Sequence, residues 1–378
     1  MILGDFGAEV IKVENPQGGD QGRYFGRSKH GVSLNWKQLS RNKKNITLSL
    51  SKPAGQELFC KLIKATQADV LIESFRAGTF EKWNLPYGKL RELSPGLTMV
   101  RVSGFGQTGP YKDRPGFGTL AEAMSGFAHI TGQSDGPPTL PPFPLADTTS
   151  ALYATIGVMM CLYQRDVKKT GRGQSIDVSL LESLYTMLSG HAMAYDQLGL
   201  PGKRTGNRTS GSAPRNVYLT QDDRYVAIAG STQALTERLF KEMGREDLIV
   251  DPRFKSNRDR LANVEALDDI VGAWVRGRTQ AACIEQLVKA EVAVAPVADF
   301  KDLAADPHLV SRNVLTEIDD PDLGKLRMPR VLPRLSETPG RIAHAGVHAM
   351  GSHNDEVYGD RLGLSEPEMQ MLKADGVI

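Results

Sequence analysis

Residues 45–73 read NITLSLSKPAGQELFCKLIKATQADVLIE, and this stretch decides the fold class. Residues 45–50 alternate apolar and polar side chains, as a half-buried strand does. Residues 53–66 begin with a proline in the first turn and predict a helix, and residues 68–73 predict a second strand. Strand, helix and strand in this order are typical of a parallel sheet with helices on its faces.

The flanking segments extend this alternation, with predicted strands at 9–13, 97–102 and 175–178 and predicted helices at 80–93, 119–128 and 151–164. A new unit opens at the predicted strand 225–229, followed by helices at about 232–243, 263–276 and 279–290. We therefore expect an α/β protein with two domains. The large domain is expected to be Rossmann-like with a mostly parallel sheet and to cover 1–195 and 310–378. The small domain is expected to be α/β and to cover 215–305. The linkers cover 196–214 and 306–330.

Composition narrows the function classes. Of 378 residues, 40% are hydrophobic and 24% are charged, which is a normal globular balance, and the net charge of +2 predicts no nucleic-acid or membrane partner. The longest apolar run, residues 151–163, is shorter than the roughly 20 residues that span a bilayer. The cysteines lack CxxC spacing, which predicts a cytoplasmic protein without a disulfide framework or metal site.

One nucleotide-binding motif fails on inspection. Residues 104–109 read GFGQTG, match GxGxxG and follow a predicted strand. A dinucleotide site needs a helix that begins directly after the glycines, so that its N–H groups face the pyrophosphate. Pro110, Pro115 and Gly116 leave no room for that helix. The segment is interpreted as a Gly-rich loop at the carboxyl end of a strand, where many α/β proteins place their sites.

Asp147 is the candidate catalytic residue. It stands in the segment FPLADTTS, residues 143–150, at the start of the long apolar helix pattern. One interpretation is a helix N-cap, since Asp accepts hydrogen bonds from first-turn N–H groups. The other is a nucleophile, which the helix N-terminus would keep ionised. The two roles compete for the same oxygen lone pairs, so a nucleophile must keep one oxygen free.

The chain resembles the class III CoA-transferases, the family of formyl-CoA transferase and the carnitine and bile-acid CoA-transferases. The resemblance covers nearly the whole chain in family order. The segments that carry it are LGDFGAEVIKVE at 3–14, NKKNITL at 42–48, SGFG at 103–106, AMSG at 123–126, the Asp147 segment, KTGRGQ at 169–174, MGSHNDEV at 350–357 and GVI at 376–378.

This resemblance implies a mechanism and a set of site residues. The aspartate at the position of Asp147 attacks an acyl-CoA thioester, and aspartyl anhydride and aspartyl-CoA intermediates follow. No bound cofactor or metal is implied, because the CoA thioester is a substrate. Oxyanions need N–H donors, and glycines allow a close approach of the backbone, so Gly104, Gly106 and Gly230 are candidate donors.

CoA itself requires cations for its phosphates and apolar surface for its adenine. The resemblance places Leu48, Ser74, Phe75 and Lys82 at CoA-contacting positions. Arg76 and Arg114 are added as cations beside matched loops. The family further implies two chains interlocked in a homodimer, with CoA in the cleft between the domains.

The sequence departs from the family pattern in ways that keep alternatives open. Relatives usually begin with an extra strand, so a chain that starts inside the next helix is expected to be truncated. Gly118 stands where transferases often carry an acid, and the short loop at Gly230 predicts a different acyl pocket. A racemase of this fold would pair the aspartate with a histidine, but Phe117 occupies that position and His129 lies further along. A catalytically impaired CoA-binding paralogue is the remaining alternative.

Overall fold

The computed structural model describes residues 1–378. Its strands are β1 (Val10–Glu14), β2 (Ser28–Lys29), β3 (Val32–Ser33), β4 (Lys43–Thr47), β5 (Val70–Glu73), β6 (Thr98–Ser103), β7 (Ser175–Ser179), β8 (Arg215–Leu219), β9 (Tyr225–Ala229), β10 (Val294–Pro296), β11 (Leu315–Asp320) and β12 (Gly324–Pro329). Its α-helices in the first half are α1 (Ile2–Asp5), α2 (Leu34–Leu39), α3 (Pro53–Thr66), α4 (Thr79–Lys82), α5 (Tyr87–Leu93), α6 (Gly118–Met124), α7 (Phe127–Ile130), α8 (Leu145–Leu162) and α9 (Leu180–Met187).

The remaining helices are α10 (Ser189–Leu198), α11 (Gln233–Glu242), α12 (Asp247–Val250), α13 (Asn257–Ala262), α14 (Val264–Arg276), α15 (Gln280–Lys289), α16 (Phe300–Ala305), α17 (Pro307–Ser311) and α18 (Glu366–Ala374). A short 3₁₀ turn lies at Gln21–Arg23, and π-helical turns lie at Tyr163–Val167 and Asp355–Arg361.

The chain groups into two compact units. The first contains Met1–Ser125, Pro141–Ser189 and Pro307–Ile378, and the second contains Gly126–Leu140 and Gly190–Asp306. The expected domain boundaries differ from this grouping at residues 126–140 and 190–195, which they assign to the large domain.

The first unit has parallel sheets flanked by helices. β1 pairs with β4 in parallel, and β5, β6 and β7 form a three-stranded parallel sheet with β6 in the centre. α8 lies in the connection from β6 to β7 and packs on both strands. The second unit has a three-stranded antiparallel sheet, β8–β9–β10, covered by helices. This mixed architecture confirms the predicted α/β class.

α3 shows why the sequence folds in this way. Pro53 occupies its first turn, and Gln67 ends it in the left-handed conformation with φ 45°. Burying an apolar side chain of this size contributes about 1.5–3 kcal/mol, so the inward face of α3 is a large part of the core. That face consists of Leu58, Phe59, Leu62 and Ile63.

The predicted helix at 80–93 is wrong as a single element. The structure has α4 and α5 instead, separated by residues 83–86. Asn84 adopts a left-handed conformation with φ 55°, and Pro86 has no N–H to donate to a continuing helix. The helical periodicity of the side chains is retained, but the backbone between them turns.

The segment 306–330, expected to be a linker, contains α17 and the β11–β12 hairpin. Lys37 of α2 anchors this hairpin. Its Nζ lies 2.7 Å from Asp320 Oδ2 with both side chains 1% exposed, and it also pairs with Asp322. A buried ammonium group needs such partners, so this contact fixes a stretch whose sequence pattern resembles a loop.

The helical run that carries Asp147 is longer than its apolar sequence pattern. Leu145–Val167 is helical over 23 residues and is apolar enough to cross a membrane by length and composition. A core helix of a soluble protein meets the same criterion. Ala146, Ala154 and Val158 are buried, and the latter two belong to a cluster with Val100 of β6.

Replacing Lys37 by Met is expected to lower the free energy of unfolding by about 3–5 kcal/mol, because Asp320 would be left buried without its counter-ion. The control is Lys325→Met, on the same hairpin, whose pair with Asp319 is exposed to solvent. That substitution should leave stability nearly unchanged, because solvent screens exposed pairs. Urea unfolding followed by circular dichroism measures both, and equal effects would contradict the anchoring role.

Candidate active site

Asp147 is the third residue of α8, inside its first turn. The sequence pattern predicted a helix from residue 151 with Asp147 at its mouth, whereas the structure begins the helix at Leu145 with Pro144 as the cap residue. The side chain of Pro144 makes no capping hydrogen bond to the first turn. The N-cap interpretation of Asp147 is therefore wrong. The residue is exposed, and its carboxylate remains available to a ligand.

Glu122 of α6 provides the missing cap. Its Oε1 accepts a hydrogen bond from the N–H of Ala146 at 3.2 Å, and the side chain is 3% exposed. First-turn N–H groups have no partner within their own helix, so an acceptor from a neighbouring element has to satisfy them. No motif in the sequence marks Glu122. Its spacing of four residues from Gly118 is the one available signal, since it places both on one face of a helix.

Gly118 gives the Asp147 carboxylate its place. A Cβ atom added to Gly118 would lie 1.9 Å from Asp147 Oδ2, far inside van der Waals contact. Only glycine fits here with Asp147 in this position. At Gly118 this chain therefore has a hollow into which the Asp147 carboxylate extends. Phe117, directly before it, is 74% exposed.

The surroundings raise the pKa of Asp147. Burial of the carboxyl group is the main cause, and the negative charge of Glu122 adds to it, while the N–H of Asp147 itself acts in the opposite direction. The residue as a whole is exposed, but its carboxyl end faces Gly118 and α6, so this end loses water. Desolvation and a like charge therefore outweigh the effect of the helix N-terminus on the pKa of this group.

The Gly-rich loop after β6 lies against the approach to Gly118. A Cβ atom on Gly104 would lie 2.6 Å from Cα of Gly116, so the two loops pack backbone to backbone. Gly106 has φ 89° and its N–H donates to Ser103 Oγ at 3.0 Å. No helix starts directly after the loop, since α6 begins only at Gly118, as the prolines predict.

Two of the three glycines expected to stabilise an oxyanion already donate elsewhere. The N–H of Gly106 is bound to Ser103, and the N–H of Gly230, in the second unit, donates to the carbonyl oxygen of Pro214 at 2.7 Å. A donor in use is a poor oxyanion ligand unless the loop rearranges. Gly104 therefore remains the glycine of this set for which the structure shows no competing acceptor.

Four of the residues expected to contact CoA form one exposed patch beyond the end of β5. Phe75 is 42% exposed, and its ring packs on Trp83 and Phe80 with centroid distances of 4.9 and 5.8 Å. Lys82 is the neighbour of Trp83 in the chain. The residues of the patch, all exposed, are Ser74, Phe75, Arg76 and Lys82.

The other two residues expected to contact CoA, Leu48 and Arg114, contact residues outside this patch. The side chain of Leu48 is 2% exposed and belongs to the main core of the first unit, so it has no surface for a ligand. The guanidinium of Arg114 stacks 3.5 Å from the ring centroid of Tyr111, and that ring contacts Phe105 in the Gly-rich loop. Arg114 thus borders the loop at Gly116.

The match to a family model covers residues 1–354, and the family is CoA-transferase family III. The chain belongs to this family. Two relatives from Chloroflexus aurantiacus are each 40% identical, over all of this chain and 93% of their own length: a succinyl-CoA–D-citramalate CoA-transferase and the beta subunit of a succinyl-CoA–L-malate CoA-transferase.

A solved structure shares the fold of this family III CoA-transferase. The crystal structure of a CaiB/BaiF family protein from Brucella suis is 30% identical, covers 95% of this chain and 93% of its own, and superposes with a TM-score of 0.81. The resemblance seen in the sequence is thereby confirmed. The enzyme class is a CoA-transferase, whose substrates are CoA thioesters.

Gly118→Ala is expected to lower the rate of CoA transfer at least about tenfold, because a displacement of about 1 Å at a reacting group can cost about a hundredfold. Gly88→Ala in α5 is the control, since a Cβ atom there has no neighbour within 4 Å. Steady-state kinetics on both folded variants measures the effect. Wild-type activity in Gly118→Ala would show that the carboxylate does not need its present place.

Proposed function

We propose that this enzyme moves CoA from an acyl-CoA donor to a carboxylic acid through covalent intermediates on Asp147. The observation that carries the proposal is the free carboxylate at the start of α8. Glu122 satisfies the adjacent N–H group and Gly118 provides space, so the carboxylate, which interacts with its own N–H, is not needed as the cap of the helix. A raised pKa makes the ionised group a stronger nucleophile than a free aspartate.

In the first half of the reaction, a carboxylate oxygen of Asp147 attacks the thioester carbon of the donor. The C–S bond breaks, CoA leaves as a thiolate with the electron pair, and a mixed anhydride remains on Asp147. The thiolate then attacks Cγ of Asp147. The donor acid leaves as a carboxylate and takes the bridging oxygen with it, and an aspartyl-CoA thioester is left.

The second half runs the same chemistry with the acceptor. The acceptor carboxylate attacks Cγ of Asp147 and displaces CoA thiolate, which forms a second anhydride. The thiolate attacks the acyl carbon of the acceptor and releases the Asp147 carboxylate together with the new acyl-CoA. No proton is taken up overall. Each step replaces one acyl leaving group by another, so a single nucleophile serves throughout.

We assign the patch around Phe75 to CoA. An exposed aromatic ring suits stacking with adenine, and Arg76 and Lys82 supply charges for phosphates. Arg101 stabilises this region, since it binds Glu73 Oε1 at 2.9 Å and Glu81 Oε1 at 2.7 Å and so joins β5, β6 and α4. Arg114 is proposed as a further cation for the CoA or acid substrate.

The proposed substrates are succinyl-CoA as donor and a small hydroxy-dicarboxylate as acceptor. This choice rests on the two relatives from Chloroflexus aurantiacus, which are named for succinyl-CoA with citramalate or malate. Mass spectrometry of the products formed from succinyl-CoA and a panel of acids tests it. Transfer of CoA to monocarboxylates alone would contradict this choice of acceptor.

We also propose an interlocked homodimer. α8 carries a stripe of exposed apolar side chains at helical spacing, which is a surface that a second chain would cover. Light scattering that finds a monomer would remove this proposal. The stripe consists of Leu152, Ile156, Met159 and Met160 and continues to Tyr163 in the π-helical turn that follows, and each of these residues is at least 45% exposed. The three cysteines are unpaired, which supports a reducing, cytoplasmic compartment.

Racemisation and passive CoA binding are the competing functions. His129, the alternative base, lies in α7 of the second unit, and its carbonyl oxygen accepts from Arg204. Incubation with an α-chiral acyl-CoA in heavy water separates the possibilities. Deuterium at the α-carbon without acyl exchange favours a racemase, acyl exchange without deuterium favours the transferase, and neither favours an impaired paralogue.

Asp147→Asn is expected to lower transfer about a thousandfold or more, because an amide oxygen is a poor nucleophile and cannot form the anhydride. Hydroxylamine should inactivate the wild type incubated with acyl-CoA, by cleaving the aspartyl adduct, and should leave the variant unlabelled. Asp319→Asn, an exposed acid on the β11–β12 hairpin, is the control. Normal transfer by Asp147→Asn, with no adduct in the wild type, would disprove the mechanism.

Phe75→Ala should raise KM for acyl-CoA about tenfold and leave kcat within about threefold, because base stacking on an aromatic ring is worth roughly 1–3 kcal/mol. Phe300→Ala serves as the matched control, since this ring is 90% exposed and lies in the second unit. Initial rates over a range of acyl-CoA concentrations provide both constants. An unchanged KM would place the adenine elsewhere.

A further inference from the structure

Glu122 has a role that the transfer chemistry itself does not require. We propose that Glu122 is a positioning residue for Asp147: it caps the first turn of α8 and so keeps the Asp147 carboxylate free to react. The proposal rests on the nucleophilic role of Asp147 argued above. Glu122 itself touches no reacting atom.

The geometry of α6 supports this division of roles. Gly118 and Glu122 are one helical turn apart and therefore lie on one face, and α6 packs on α8. Gly118 faces Asp147 Oδ2, and Glu122 binds the N–H of Ala146. One face of one short helix thus contacts two consecutive residues of α8, one through its carboxylate and one through its backbone.

Without Glu122, Asp147 is the nearest replacement cap. Aspartate in the first turn is attracted to the unpaired N–H groups and the positive end of the helix dipole. A carboxylate turned toward its own backbone has fewer lone pairs for a thioester carbon. Glu122 takes the N–H of Ala146 out of this competition and leaves the Asp147 carboxylate only its own N–H, and its 3% exposure makes it an acceptor that water does not replace.

Glu122 also acts on Asp147 through its charge, which raises the pKa of that carboxyl. The other elements packed along α8 are β6, β7, α9 and the π-helical turn at Tyr163–Val167, in which Arg165 and Asp166 pair with each other. Arg101 is bound to Glu73 and Glu81, and the Asp177 carboxylate accepts the N–H of Gln107. Glu122 of α6 is the charged residue that shifts the pKa of Asp147. The charged residues on β6, β7 and α9 are Arg101, Asp177 and Glu182.

Two substitutions separate the hydrogen bond from the charge. Glu122→Gln keeps an acceptor for Ala146 N–H and removes the charge, whereas Glu122→Ala removes both. In the Glu122→Gln variant, kcat should stay within about threefold of wild type. The acidic limb of kcat/KM should move to lower pH, because the negative charge beside Asp147 has been removed. In the Glu122→Ala variant, kcat should fall about tenfold or more, whereas KM for acyl-CoA should stay within about twofold of wild type.

Glu182→Gln on α9 is the matched control and should leave both kcat and the acidic limb unchanged. The positioning role is overturned if folded Glu122→Ala keeps wild-type kcat, if the acidic limb of Glu122→Gln does not move, or if the control moves it equally. Should Glu122→Ala not fold, the pH profile of Glu122→Gln decides. Asp147→Asn runs in the same assay: if it retains transfer, the nucleophilic role fails first and the positioning role falls with it.

Discussion

The contact between α6 and the first turn of α8 is the constraint on which the active site depends. It consists of a hydrogen bond from Ala146 N–H to Glu122 and of the close approach between Gly118 and the Asp147 carboxylate. The two parts act together because they come from one face of α6. A helix end normally draws any nearby carboxylate into its own capping. Here the carboxylate of Glu122 takes that position at Ala146, and Asp147 does not serve as the cap.

The parallel sheet holds this contact in place. β6 leads through the Gly-rich loop into α6, and α8 packs back on β6 and β7. α8 is therefore fixed to these strands directly, α6 packs on α8 and α9, and the close packing of Gly104 on Gly116 fixes the loop between β6 and α6. In sheets of this kind, sites form at the carboxyl ends of the strands, and Gly104 lies directly after β6.

Local signals in the sequence were sufficient for much of the fold. α3 could be predicted residue by residue, since Pro53 starts it and its apolar residues share one face. Pro86 was the signal in the sequence that residues 80–93 form two helices. The helical spacing of the apolar side chains continues across this break and therefore hides it. The start of α8 at Leu145 was missed because prolines on both sides of Phe143 obscure a first turn that the Glu122 contact stabilises.

The site itself was predictable only in part. The family resemblance singles out Asp147, Ser74, Phe75 and Lys82 as candidates, and Arg76 was added as a cation beside a matched loop. Glu122 could not be found in this way, because its partner is 24 positions away along the chain and no short-range pattern encodes that contact. Leu48 was named from the family resemblance alone, and a match in sequence does not show that the structure buries this side chain in the core.

The most direct test follows oxygen atoms. The enzyme is allowed to turn over an acyl-CoA with an acceptor acid whose carboxylate carries heavy oxygen, and the peptide that contains Asp147 is then weighed by mass spectrometry. Because the acceptor oxygen bridges the second anhydride and stays on Asp147 when the new acyl-CoA leaves, we predict that heavy oxygen accumulates in this carboxylate and then in the released donor acid. An Asp147 peptide of unchanged mass after many turnovers would contradict covalent catalysis at this residue.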